Sequence, residues 1–105
     1  MSATDVFNVA GSTISVAATE SSLSATLPVP TAMNSFDVSV YNSGSNIAFV
    51  RWWNSSKGVQ AALVTDAPIP PGAILNFYKG DADTFAAICL GGKTATVYFT
   101  PGVGN

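Results

Sequence analysis

The chain has 105 residues, 48% hydrophobic and only 10% charged, with four Lys and Arg against six Asp and Glu for a formal net charge of −2. That length suits one domain with a core of its own and is too short for two. So little charge in so apolar a chain argues against disorder and against a solvated helical bundle.

Arg51, Lys57, Lys79 and Lys93 are too few and too scattered to neutralise a phosphate backbone, so nucleic acid is set aside as a partner. The single cysteine, Cys89, rules out an intrachain disulfide and with it the disulfide-scaffold class. No apolar run approaches the length of a membrane span, about 20 residues. The first residues show no basic region followed by an apolar run, so no signal peptide is read there. The expectation is a soluble protein made in a cytoplasm.

Residues 1–30 are small and polar, with short apolar islands. Ile14, Val16 and Ala18 alternate with Thr13, Ser15 and Ala17; after Glu20-Ser21-Ser22, Leu23, Ala25 and Leu27 alternate again. This reads as a weak hairpin or as an arm lying along another subunit. Pro28 and Pro30 stop it, and residues 31–105 are read as the body of the fold. There Phe36, Val38 and Val40 alternate with Asp37, Ser39 and Tyr41, and Asn42-Ser43-Gly44-Ser45-Asn46 has the chemistry of a turn joining antiparallel strands.

The run from Ile47 to Trp53 is apolar on both faces. Ala48, Val50 and Trp52 form its charge-free face and are assigned to the core, so Phe49, Arg51 and Trp53 point away. Val59 to Val64 reads as a strand or a bulged edge. Thr65 to Gly72, with Pro68, Pro70 and Pro71, is a stiff connection that cannot be a central strand.

From Gly72 onwards come three apolar runs, Gly72 to Lys79, Thr84 to Leu90 and Lys93 to Thr100, separated by Gly80-Asp81-Ala82-Asp83 and Gly91-Gly92. They read as a three-stranded meander. In the last, Ala95, Val97 and Phe99 alternate with Thr94, Thr96, Tyr98 and Thr100, as a half-buried strand requires. The fold class expected is all-β: a single small antiparallel β-sandwich or jelly-roll-like barrel with about seven or eight short strands and little helix.

No catalytic chemistry is legible. The chain has no histidine, which removes Ser-His, Cys-His and histidine–metal arrangements. Cys89 lies mid-strand without a basic neighbour and reads as a buried hydrophobe. Asp81 and Asp83 lack the ordered oxygen series of a calcium loop and read as an Asp-rich turn. Nothing in the spacing of Asp37, Asp66 and Glu20 selects a carboxylate pair. Gly91-Gly92-Lys93 lacks the spacing of a phosphate loop and reads as a hairpin turn. No enzyme, cofactor or metal is therefore expected. Trp52 and Trp53, being adjacent, face opposite ways on a strand. Trp53, with Phe49 and Arg51 on its face, is either an outward contact or is covered by other parts of the chain.

The segments FDVSVYNSGSNIAFVRW and PIPPGAILNFYKGDADTFAAICLGGKTATVYFTPGVG resemble small β-sandwich proteins of tailed-bacteriophage virions. The resemblance covers Phe36 to Gly104 and rests on turn chemistry and core pattern. It implies a head decoration or cement subunit on the outer capsid surface of the virion. Such a subunit bridges neighbouring copies of the major capsid protein and forms a homo-oligomer, a trimer by family habit. Phe49, Arg51, Trp53, Tyr41 and Tyr78 are the candidate oligomer or capsid contacts. A rival reading is a host-surface glycan-binding module in which Trp53, Tyr41 and Tyr78 stack on sugar rings beside Asn54, Asp37 and Asn76. A tail or neck component is a third.

Overall fold

A computed structural model describes residues 8–28, 31–32, 35–58 and 60–103. Nine strands run through them: β1 (Asn8–Val9), β2 (Ile14–Ala18), β3 (Leu23–Thr26), β4 (Asp37–Asn42), β5 (Ala48–Trp53), β6 (Ala67–Ile69), β7 (Ile74–Tyr78), β8 (Thr84–Cys89) and β9 (Ala95–Val103). Among the described residues, helix is limited to Thr31–Ala32 and one 3-10 turn at Ser55–Lys57.

The strands form two antiparallel sheets. The first has the order β1-β9-β4-β7, with β2 also paired to β9; the second has the order β3-β8-β5-β6. β1 and β2 lie successively along one flank of β9, at Val9↔Gly102 and Ile14↔Phe99, and so act as one interrupted strand. The other flank of β9 pairs with β4. Counted that way, eight strands switch sheets at every connection except β5–β6, which is jelly-roll topology. The all-β sandwich expected from the alternation is the fold observed.

Pairing differs from the expectation in three places. The two N-terminal runs do not form a hairpin: β2 pairs with β9 and β3 with β8, so the chain crosses between sheets around Glu20. Residues 8–28 are thereby built into both sheets with the rest of the fold. The runs flanking Asn42–Asn46 likewise belong to different sheets, and β7, β8 and β9 alternate between sheets instead of forming a meander. The connecting residues 43–47, 79–83 and 90–94 are long enough to span the roughly 10 Å between packed sheets, which a two-residue hairpin turn is not. In the first of these, Gly44 sits so close to β9 that a Cβ would lie 2.8 Å from the Ala95 Cα.

The core lies between the sheets and uses the faces that the alternation assigned. Val38 and Val40, Ala48 and Val50, Phe85, Ala87 and Cys89, and Val97 and Phe99 are buried there. Phe85 and Phe99 stack across the interface with centroids 5.0 Å apart. Trp52 faces inward and lies 5.1 Å from Phe77. Phe36, expected to share the core face of Val38, is instead exposed just before β4 begins. Residues 60–64 are not a strand; Val59 lies outside the described residues. The proline-held connection does contain a strand, β6, and it is an edge strand, where Pro68 withholds no central ladder bond.

Candidate functional site

Among the described residues, the outer face of the first sheet carries several exposed large side chains. Period-two alternation turns Ser15, Tyr98, Tyr41 and Ile74 outward, and register aligns them as one row crossing the sheet from β2 to β7. Thr100, Ser39 and Asn76 form the next row, with Asp37 and Tyr78 beyond it. The Tyr41 and Tyr98 rings stack with centroids 6.0 Å apart and an interplanar angle of 19°. With Thr13, Ser43 and Thr100 they line a shallow groove of about 520 Å³. The Thr13 and Thr100 hydroxyls are 2.8 Å apart within it. Tyr78, Val9 and Ile74 are the most exposed large side chains of the face, at 74%, 66% and 64%, with Val9 joined to the Asp37 row through Gly102. Asp37 is the one charged side chain in these rows.

The outer face of the second sheet is covered instead. Phe49, Arg51 and Trp53 do point away from the main core, as the alternation predicts, but residues 60–66 fold over Arg51 and Trp53. Arg51 Nη2 donates to Asp66 Oδ1 at 2.9 Å, and the Leu63 N–H donates to Asp66 Oδ2 at 2.7 Å. Burial pushes the Asp66 carboxyl up, but these bonds and the Arg51 charge outweigh it and hold the group below its ordinary value. Trp53, 8% exposed, packs with Ala62, Ala86 and Ile88 in a satellite cluster under this loop. It is therefore not an outward contact; the chain's own loop takes the place a partner would occupy. Of the five candidate contacts, Tyr41 and Tyr78 share the open face, while Phe49, Arg51 and Trp53 lie on the opposite sheet. The trio Trp53, Tyr41 and Tyr78 consequently forms no single stacking platform. Tyr98 and Ile74 belong to the open face and were absent from the candidate set.

The charged groups serve structure. Lys79 is 5% exposed, and its ammonium donates to the carbonyls of Ser35 (2.7 Å), Ala82 (2.9 Å), Gly80 (3.1 Å) and Ala32 (3.5 Å). Burial lowers its pKa, against the opposing pull of Asp81, Asp83 and Asp37. Asp83 accepts from the Ser55 N–H and hydroxyl and from Thr84, and these bonds outweigh burial to lower its pKa. Asp66 lies in the loop over the second sheet and Asp37 on the first, and Glu20 accepts from the Gly92 N–H, so these carboxylates do not converge. Among the described residues no cluster of three His, Cys, Asp or Glu is placed to hold a metal, and no helix is long and apolar enough to cross a membrane. Cys89 is buried in the core, and burial pushes its thiol up.

No protein-family model matches the sequence, and no curated protein matches it. Among solved structures, the chain is similar to one from Bacillus endospore appendages, described as a novel family of disulfide-linked pili. The identity is 13% over 97% of this chain and 91% of that one, with a TM-score of 0.55, which is a likeness of fold. A crystal structure of CoII HppE in complex with substrate aligns at 9% identity over 84% of this chain and 41% of that one. Its TM-score of 0.44 is too low to bear on function.

Proposed function

We propose that this chain is a non-enzymatic structural subunit of a tailed-bacteriophage virion, a decoration or cement protein that binds the assembled head and bridges major capsid subunits. The observation that supports this reading is the open outer face of the first sheet. It presents four aligned strands of Ser, Thr, Asn, Tyr and Ile, and apart from the single carboxylate of Asp37, at one margin of these rows, it carries no charge whose burial would oppose contact. The contact set on this reading is Tyr41, Tyr98, Ile74 and Tyr78. Many copies of a modest contact add by multivalency on a repeating shell. The similar Bacillus chain is described as forming disulfide-linked pili; here the sole cysteine is 1% exposed, so assembly on the present reading is non-covalent.

The test adds purified protein to shells that lack it and follows both binding and disruption by heat. Saturation at a fixed stoichiometry with a raised disruption temperature, both lost in Tyr98→Asp, is the expected result. Absence of binding, or binding indifferent to Tyr98→Asp, sinks this assignment of face and function.

A further inference from the structure

Among the described residues β7 is paired on one side only and forms one edge of the first sheet, and its backbone bonding can be read from the ends of the strand. The Asn42 N–H donates to the Ala73 carbonyl and the Lys79 N–H to that of Phe36, in the same register that pairs Tyr41 with Ile74 and Asp37 with Tyr78. Odd-numbered residues of this stretch therefore bond inward to β4. By the alternation of an antiparallel ladder, Ile74, Asn76 and Tyr78 direct their N–H and C=O groups away from the molecule. An edge of this kind is normally guarded by proline, by a bulge or by an outward lysine. β7 has neither proline nor charge, and the adjacent Lys79, which could guard it, has its ammonium turned inward onto the Ser35 and Ala82 carbonyls. Of the other edges, β6 contains Pro68; β2 and β3 also lack proline and charge, but carry mostly small side chains and so offer less apolar contact to a partner strand.

We infer that two copies of this chain pair through β7, antiparallel and about a two-fold axis at Asn76. The strand is self-complementary in that register. Asn76 faces Asn76 of the partner subunit, amide to amide. Ile74 meets the partner's Tyr78 on the outer face, and Leu75 meets the partner's Phe77 on the inner side. Ile74, Asn76 and Tyr78 each exchange both backbone bonds with the residue opposite. All three large side chains that β7 leaves exposed, Ile74, Leu75 and Tyr78, gain an apolar neighbour. The two first sheets become one continuous sheet, and their Tyr41–Tyr98 rows extend across the axis. The pairing is an isologous, closed contact in place of the trimer that the family resemblance implies, and it does not depend on the capsid reading.

Sedimentation equilibrium of the full chain over a concentration series tests it, with Asn76→Lys and Asn76→Cys as variants. The parent chain is expected to show a monomer–dimer equilibrium. Asn76→Lys places two ammonium groups on the axis at an exposed position, and should weaken the dimer by about tenfold or more, partly recovered by salt, with the monomer's melting unchanged. Asn76→Cys should give an oxidised dimer on a non-reducing gel, since paired Cα atoms at about 5.5 Å suit a disulfide; the parent, with Cys89 buried, should not. A chain that is monomeric throughout, trimeric or open-ended in assembly overturns the inference. So does a dimer that ignores Asn76→Lys, or one that yields no Asn76→Cys cross-link.

Discussion

Asn42, wholly buried at the end of β4, ties the two sheets together through polar bonds. Its amide nitrogen donates to the Ile69 carbonyl of β6 at 2.9 Å and to the Asn46 carbonyl at 2.8 Å, while its oxygen accepts from the Gly44 N–H at 2.9 Å. Asn42→Ala removes a bond from the buried Ile69 carbonyl and from the part-buried Asn46 carbonyl and Gly44 N–H, and is expected to cost about 2–4 kcal/mol, seen as a fall in Tm of roughly 10 °C or more. The acid limb of stability belongs to Asp66 and Asp83. Both have folded pKa values below their unfolded ones, so the unfolded state takes up protons first as pH falls. Their contribution is whole above about pH 4 and is lost as pH drops through the folded values. Denaturant titrations across that window should show the loss, and it should shrink in Asp66→Asn and Asp83→Asn. In the sequence, Asn42 reads only as a turn residue. The burial of Lys79 has no local signal either, because its cage is assembled from carbonyls of two separate connections.

At the scale of elements, alternation located nearly every strand and chose the core face of β4, β5 and β9 correctly, because burial on one face imposes period two whatever the strand's partner. Partners were not legible. Gly, Asn and Asp mark a chain reversal equally well whether it returns to the same sheet or crosses to the facing one. The exposed face was half legible for the same reason: Tyr41 and Tyr98 each read as outward, but only register makes them neighbours. The loop over the second sheet was hidden because residues 60–64 are apolar enough to pass for a strand, yet Ala62 of this stretch serves to cap Trp53. Two substitutions should separate packing from tethering there. Trp53→Ala is expected to destabilise by about 2–4 kcal/mol. Arg51→Ala, removing a partly exposed ion pair, should cost under about 1 kcal/mol while increasing quencher access to tryptophan fluorescence.

For the molecule as a whole, the sandwich is closed by pairings between distant parts of the chain, from Asn8 with Val103 to Leu23 with Ala87. Loop-closure entropy must be met before such contacts form, so refolding is expected in the millisecond-to-second range, measurable by stopped flow. β9 has a particular position in this scheme, since it is the last of the nine strands to be made and is paired along both flanks, by β1 and β2 on one side and β4 on the other. During translation the strands that flank it leave the ribosome first and wait, with apolar faces and ladder edges bare, until residues 95–103 follow. Of the first sheet, only the β4–β7 pair can assemble earlier. The order of synthesis thus makes this a chain that folds late and all at once, and a ribosome-bound nascent chain ending at residue 94 should remain protease-sensitive where one extended past Val103 on a linker is protected.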